Sequence, residues 1–324
     1  MEPREPRIEI FAPFGEAFET TKKILFQPFD LGKWFVIGFA AWLATMFSGS
    51  VFNYRRSYNP GDWNWKAQTA GDHFSLHDAP PWVLPLIIGG GLLVLAIVIL
   101  LLWLNSRGRF MFTDCIVRNR GAIAEPWREY HTEGNRYFLL QLVITILSMI
   151  IFGGLALIFS LGWHWKNPLL PLPIIILLAV SFFLVAIVVG LVMKFVVPVM
   201  YRQRCPATDA FRAVWQLIVA HPGVFILFGL FYILLYIAGT MIGCLAACIT
   251  CCVAAVPYIG TVILLPLVMF LFTYPLCFIR QFGDPYDVWA VVRPATLPAA
   301  DPSVPPSPAI PPVQEPPPPP PPAL

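Results

Sequence analysis

An all-α polytopic membrane protein is the fold class this sequence predicts, and three observations predict it. Of 324 residues, 58% are hydrophobic and only 12% charged, about half the roughly 25% charged of a soluble domain. The run from Leu92 to Leu104 has no polar side chain beyond the Trp103 indole. With Trp82 to Gly91 before it, this run is long enough to cross a hydrocarbon core of about 30 Å at about 1.5 Å per residue. Runs of this kind then recur along the chain, and the alternation expected of a β-barrel is absent from the sequence.

Six spans follow from the apolar runs: 33–52, 82–104, 137–161, 171–197, 223–246 and 257–279. The start, MEPREPRIEIFAPFGEAF, lacks a basic segment followed by a short apolar stretch, so no cleavable signal is expected. Lys and Arg in the short connections give the orientation. One side collects 17 of the 21 basic residues, and the other holds Arg55, Arg56, Lys66 and Lys166. This split predicts an inner or plasma membrane protein with both termini cytoplasmic. The membrane domain is expected over residues 1–290. A tail over 291–324 follows, with 15 prolines between Pro294 and Leu324. Such a tail buries no core and reads as an extended cytoplasmic segment, either inert or open to a protein partner.

One string marks the end of every second span. Phe110 leads to Arg118 and Arg120, Phe195 to Arg202 and Arg204, and Phe272 to Arg280. An amide residue follows the first arginine in each copy. Ahead of each hairpin lies a short segment with one apolar face: Phe14, Ala17, Phe18, Thr21 and Leu25; then Ile123, Trp127 and Tyr130; then Phe211, Val214, Trp215 and Ile218. Thr208 or Asp209 is the expected N-cap of the third. A break is expected after each, at PFDLGK, EGNR and HPG. The predicted unit is therefore an interfacial helix, a break, two spans and an arginine–amide stop. It is used three times, over about 14–121, 122–205 and 206–283.

Several residue groups carry candidate chemistry. Arg118, Arg120, Arg202, Arg204 and Arg280 suit anionic lipid headgroups, because guanidinium forks match phosphate; they equally suit topology anchoring. Asp114 lies one helical turn before Arg118 and is positioned to pair with it. Gly239, Gly243, Ala247 and Cys251 form one four-residue stripe, and Cys244, Cys248 and Cys252 another. Small residues at that spacing let membrane helices pack closely, with cysteine acting as a small apolar side chain; a soft-metal site is the competing reading. His73, His77 and His164 are weak metal candidates on the outer side. Within the spans Lys194 is nearly alone as an ionisable group, close enough to an end to snorkel. That scarcity of buried charge argues against an ion-coupled transporter. No phosphate loop, nucleophile triad or catalytic carboxylate pair is present, so no enzyme and no cofactor are expected. Nothing in the charge pattern suggests a nucleic-acid partner.

The stretch ATDAFRAVWQLIVAHPGVFILFGLF from Ala207, with FGEAFETTKKILF and the span after it, resembles the membrane domain of bacterial glycerophosphoryl diester phosphodiesterases and related polytopic membrane proteins. The resemblance covers about residues 14–283. It implies a helical membrane module. It carries no catalysis over, since no stretch outside the spans could encode a soluble catalytic barrel. The expected role is a non-catalytic module that engages membrane lipids or a partner. The alternatives are a transporter or pore for a small or lipidic substrate and, after it, a membrane-bound metal enzyme.

Overall fold

A computed structural model describes residues 9–46, 83–163, 172–250 and 256–292. The histidines His73, His77 and His164, the cysteines Cys251 and Cys252, the loop 53–81 and the proline tail lie outside the described residues. Contacts divide the chain into two units, Met1–Val291 and Val292–Leu324, and all ten helices belong to the first. Among the described residues every α-helix belongs to one of ten, and there is no strand. The helices are α1 (Ala12–Phe26), α2 (Leu31–Thr45), α3 (Val83–Val117), α4 (Ala124–Glu129), α5 (His131–Trp163), α6 (Leu172–Gln203), α7 (Ala207–Ala220), α8 (Pro222–Ile249), α9 (Pro257–Ile263) and α10 (Leu265–Ile279). Three short 3-10 turns then run between Arg280 and Val291.

Five of the described helical segments are long and apolar enough to cross a membrane: Ile88–Val117, His131–Leu157, Ile176–Gln203, Pro222–Ile249 and Leu265–Phe282. The described part of the expected first span, α2, is a shorter apolar helix of 15 residues. Asp30 caps it, accepting from the Gly32 amide at 2.8 Å, which satisfies one of the free amides of a helix start.

Three expectations need correcting. The second span does not end at 104. Helix α3 continues to Val117 and takes Arg107, Arg109 and the string from Phe110 into its last turns. Burial explains this, because Phe110, Met111, Phe112, Cys115 and Ile116 are all inside the protein rather than in a surface connection. The sixth span is broken at Leu264 into α9 and α10. Pro266 has no N–H to give the carbonyl of Val262, and that carbonyl accepts instead from Trp34 Nε1 of α2 at 2.9 Å. The break expected at EGNR is absent: α5 starts at His131 and runs through Gly134. Packing overrides the glycine's weak helix preference. Ser106 Oγ of α3 donates to the Gly134 carbonyl at 3.1 Å, and a Cβ on Gly134 would stand 3.0 Å from Arg107 Cγ. A smaller difference is that Pro206, not Thr208 or Asp209, precedes α7, with no side-chain cap.

Helices α2 and α3 run antiparallel in close contact. A Cβ on Gly108 would lie 2.5 Å from Leu43 Cβ, so no larger residue fits without moving α2. Asn105 Nδ2 donates to the Leu43 carbonyl at 2.7 Å beside it. Three shorter helices pack on helices that bear the arginine strings: α4 on α3, α7 on α6, and α1 on α10. The last turns of α3, α6 and α10 thereby supply nearly half of the buried core. Away from these ends the long helices carry exposed apolar residues, among them Leu92, Met149, Phe183 and Ile242.

Candidate functional site

The ends of α3 and α6 meet in one charged cluster with α4 and the start of α5. Asp114, on the last turn of α3, is fully buried. Its Oδ1 accepts from Arg118 Nε at 3.1 Å and from the Tyr201 hydroxyl at 3.0 Å. Its Oδ2 accepts from Arg120 at 3.2 Å. Arg118 also reaches Glu129 Oε1 at 2.9 Å, and Arg120 reaches Glu125 at 2.6 Å. Arg204, from the end of α6, pairs with Glu129 and lies 3.5 Å from Glu133. Its guanidinium carbon sits 3.9 Å above the Tyr130 ring, and Tyr130 stacks on Tyr201 at 4.8 Å. Asn119 and Arg204 adopt positive φ of 51° and 53°, the left-handed turn that commonly closes a helix. That turn at Arg204 places its side chain back over α4.

Three guanidiniums thus face four carboxylates. Burial disfavours the ionised Glu129, but hydrogen bonds from Arg204 and the charge of Arg118 outweigh it and hold its pKa below the usual carboxylate range. Burial raises the Tyr130 pKa above the ordinary phenol value, so it stays a neutral ring. The cluster locks α3, α4, α5 and α6 together. The other two arginines of the string lie apart. Arg202 Nε donates to the Asp284 carbonyl at 3.4 Å. Arg280 pairs with Glu16 of α1 and lies 3.7 Å from Asp287.

A cavity of about 670 Å³ lies between α5, α6, α8 and α10, with Thr45 of α2, Arg109 of α3 and Phe211 of α7 completing its wall. Most of the lining is apolar. Helix α5 contributes Gln141, Thr145 and Ser148, which share one helical face. Among the described residues, Arg109 and Lys194 are its two cations and no carboxylate lines it. Arg109 donates to the Tyr137 hydroxyl at 3.2 Å. The Lys194 ammonium sits 4.1 Å over the Tyr232 ring, a cation–π contact. Pro198 and Pro275 also face the cavity, inside α6 and α10. Each lacks the N–H that would bond the carbonyl one turn earlier, at Lys194 and Leu271. In α3 the matching position is Thr113, whose hydroxyl donates to the Arg109 carbonyl at 2.8 Å.

The sequence-derived packing residues separate in space. Gly239 and Gly243 are buried, and a Cβ on Gly239 would lie 3.3 Å from Leu271 of α10. Ala247 is half-buried, while Cys244 and Cys248 are exposed. Among the described residues no group of three His, Cys, Asp or Glu side chains is placed to hold a metal.

A sequence pattern for a family of unknown function, DUF7544, matches residues 9–293. The chain belongs to that family. The match takes in α1 to α10, the charged cluster and the whole cavity wall. No curated protein and no solved structure matches the chain.

Sequence reasoning missed the acidic half of the cluster, Glu125, Glu129 and Glu133, together with Tyr130 and Tyr201. Only Asp114 stood at a telling spacing from an arginine. It also missed Arg109, which the apolar run placed in a connection. A signal was present: Arg109 and Lys194 each immediately precede the phenylalanine that opens a copy of the repeated string.

Proposed function

We propose that this DUF7544 chain is a non-catalytic membrane module that takes up a lipidic molecule in the cavity between α5, α6, α8 and α10. The observation that carries this reading is the cavity itself: about 670 Å³, walled mainly by apolar side chains. That volume lies in the ordinary range of small-molecule sites, and a few fixed polar groups set in an apolar wall suit an amphiphile. The polar face of α5, from Gln141 to Ser148, would lie along such a ligand.

The architecture that goes with this reading has six spans in three hairpins, each led by an interfacial helix, with both termini cytoplasmic. The order of short and long helices supports it. So does the packing of α4 on α3, α7 on α6 and α1 on α10, which carries one contact around a closed ring. On this reading the cavity lies near the axis of the ring, since Arg109, Lys194 and Leu271 occupy one repeat position and all line it. The resemblance to phosphodiesterase membrane domains and a partner-seeking role for the proline tail belong to the same proposal.

The test is lipid retention. The full chain, delipidated in mild detergent and examined by native mass spectrometry, should keep one lipid-sized adduct. Ala186→Trp, which fills the cavity from α6, should lose it at least tenfold. Equal retention by both chains, or no adduct on the unaltered chain, would sink the reading. Movement of the lipid between leaflets is the form a transporter would take, and a fluorescent-lipid flux assay in vesicles addresses it.

A further inference from the structure

Arg107 of α3 is set among aromatic rings instead of acids. Its guanidinium carbon lies 4.5 Å from the centroid of the Trp103 ring, on the same helix, and 4.8 Å from that of Trp127, on α4. The two indoles meet edge to face at 5.7 Å, so the cation is held against two ring faces. Arg107 Nη2 donates to Asn135 Oδ1 of α5 at 3.1 Å, and Trp103 Nε1 donates to the same oxygen at 3.0 Å. Arg107 Nε is buried and has no hydrogen-bond partner among the described residues. The carboxylates of α4 and α5 turn elsewhere: Glu125 to Arg120, Glu129 to Arg118 and Arg204, Glu133 to Arg204. Among the described residues no carboxylate pairs with Arg107.

The same residues stand at the foot of two exposed apolar flanks. Leu100 is seven positions before Arg107, and Leu139 is four after Asn135, so each shares a helical face with the polar residue. Both leucines are exposed, and the flanks continue to Leu93 on α3 and Val143 on α5. Tryptophan at the edge of such a surface marks headgroup level, where an indole meets both apolar chains and water. A guanidinium fork matches phosphate oxygens. Its charge is not cancelled beforehand by a carboxylate, as those of Arg118, Arg120 and Arg204 are. Arg128 and Arg136, exposed neighbours of Trp127 and Asn135 in the chain, add positive charge.

We propose that Arg107, Trp103, Trp127 and Asn135 form a headgroup site for an anionic phospholipid. Its phosphate sits on the guanidinium, and its acyl chains run along the flanks of α3 and α5. The occupant is a lipid of the surrounding bilayer rather than free phosphate. None of the four residues lines the cavity, so the site stands or falls apart from the reading of that cavity.

Native mass spectrometry of the full chain, released from nanodiscs of equal phosphatidylglycerol and phosphatidylcholine, tests this. The unaltered chain should keep phosphatidylglycerol at least fivefold over phosphatidylcholine. Asn135→Asp puts a carboxylate beside Arg107 without removing a ring or a cation, and should bring the ratio within twofold of one. Arg107→Gln should do the same. If that variant does not fold because the stack between α3 and α4 is lost, Asn135→Asp decides alone. Arg212→Gln, which removes an exposed cation of α7, should leave the ratio unchanged, as should Ala186→Trp in the cavity. A ratio near one for the unaltered chain, or a ratio indifferent to Asn135→Asp, overturns the proposal. An equal loss on Arg212→Gln would mean diffuse charge attraction, and a loss on Ala186→Trp would move the preference to the cavity; either overturns this site. A hundredfold excess of inorganic phosphate should displace no phosphatidylglycerol, and displacement would overturn the lipid as occupant.

Discussion

Helix α5 and the segment Leu265–Phe282, which is α10 with the turn after it, are both apolar enough to span a membrane, yet they live in opposite environments. None of the most apolar 18-residue window of α5 is buried within the protein, against 61% of that of the second. The same contrast divides the whole molecule. At the end of α3 and α6, stacked aromatic rings, Tyr130 and Tyr201 at 4.8 Å, pack against a charged cluster with an acid for every guanidinium. At the other end, long helices expose leucine, isoleucine and phenylalanine. A soluble protein could not tolerate such a surface, but a bilayer covers it without cost. Stability is thus expected to reside at one end and adaptability to a ligand at the other.

The sharpest way to break this contrast is to unbalance the buried charge. Asp114→Leu would strip Arg118, Arg120 and Tyr201 of a shared acceptor and leave cations without compensation, at a cost of about 3–5 kcal/mol. Thermal unfolding in detergent should show this as the largest loss among single variants. Next comes acid. The Glu129 pKa is lowered in the fold, so its stabilising effect is fully present above its unfolded pKa and is lost as pH falls through the lowered folded value. Unfolding temperature should therefore be flat near neutrality and decline only at acid pH. Glu129→Gln should cost about 1.5–3 kcal/mol at neutral pH, the range for hydrogen bonds to charged groups, and should flatten the acid limb.

Steric pressure gives a comparable or smaller effect. Gly108→Ala forces a methyl against Leu43 and should cost about 1–3 kcal/mol as overpacking. The same change at Gly153, where a Cβ meets nothing within 4 Å, should be neutral or slightly stabilising in the same assay. Smallest of all, Met149→Ala on the exposed flank of α5 should stay within about 0.5 kcal/mol. A large loss there would mean that this exposed apolar flank is covered by another protein surface rather than by lipid alone.

Much of the helical layout is legible in the sequence. Apolar length located the cores of the spans, and Pro222 and Gly223 marked the start of α8 through HPG. The boundaries that went astray share a cause. At α3 and α5, polar residues lie inside helices because another helix meets their needs: Asn105 is served by the Leu43 carbonyl and Gly134 by Ser106. Hydropathy along a chain does not register partners contributed from elsewhere in it. The acidic members of the cluster were invisible for the same reason, since Glu129 and Arg204 are 75 positions apart.

By itself, then, the sequence determined the class of solvent, the approximate run of the helices and the recurrence of the arginine strings. These depend on side-chain hydrophobicity and local spacing, which are properties of neighbours in the chain. Tertiary structure alone decided which arginines are answered by carboxylates and which cations face a cavity. Arg118 and Arg109 are nine positions apart on one polypeptide stretch, and nothing in their immediate sequence tells their roles apart. What separates them is the company brought by α4, α5 and α6: carboxylates and stacked tyrosines around the first, an apolar wall with a polar face around the second.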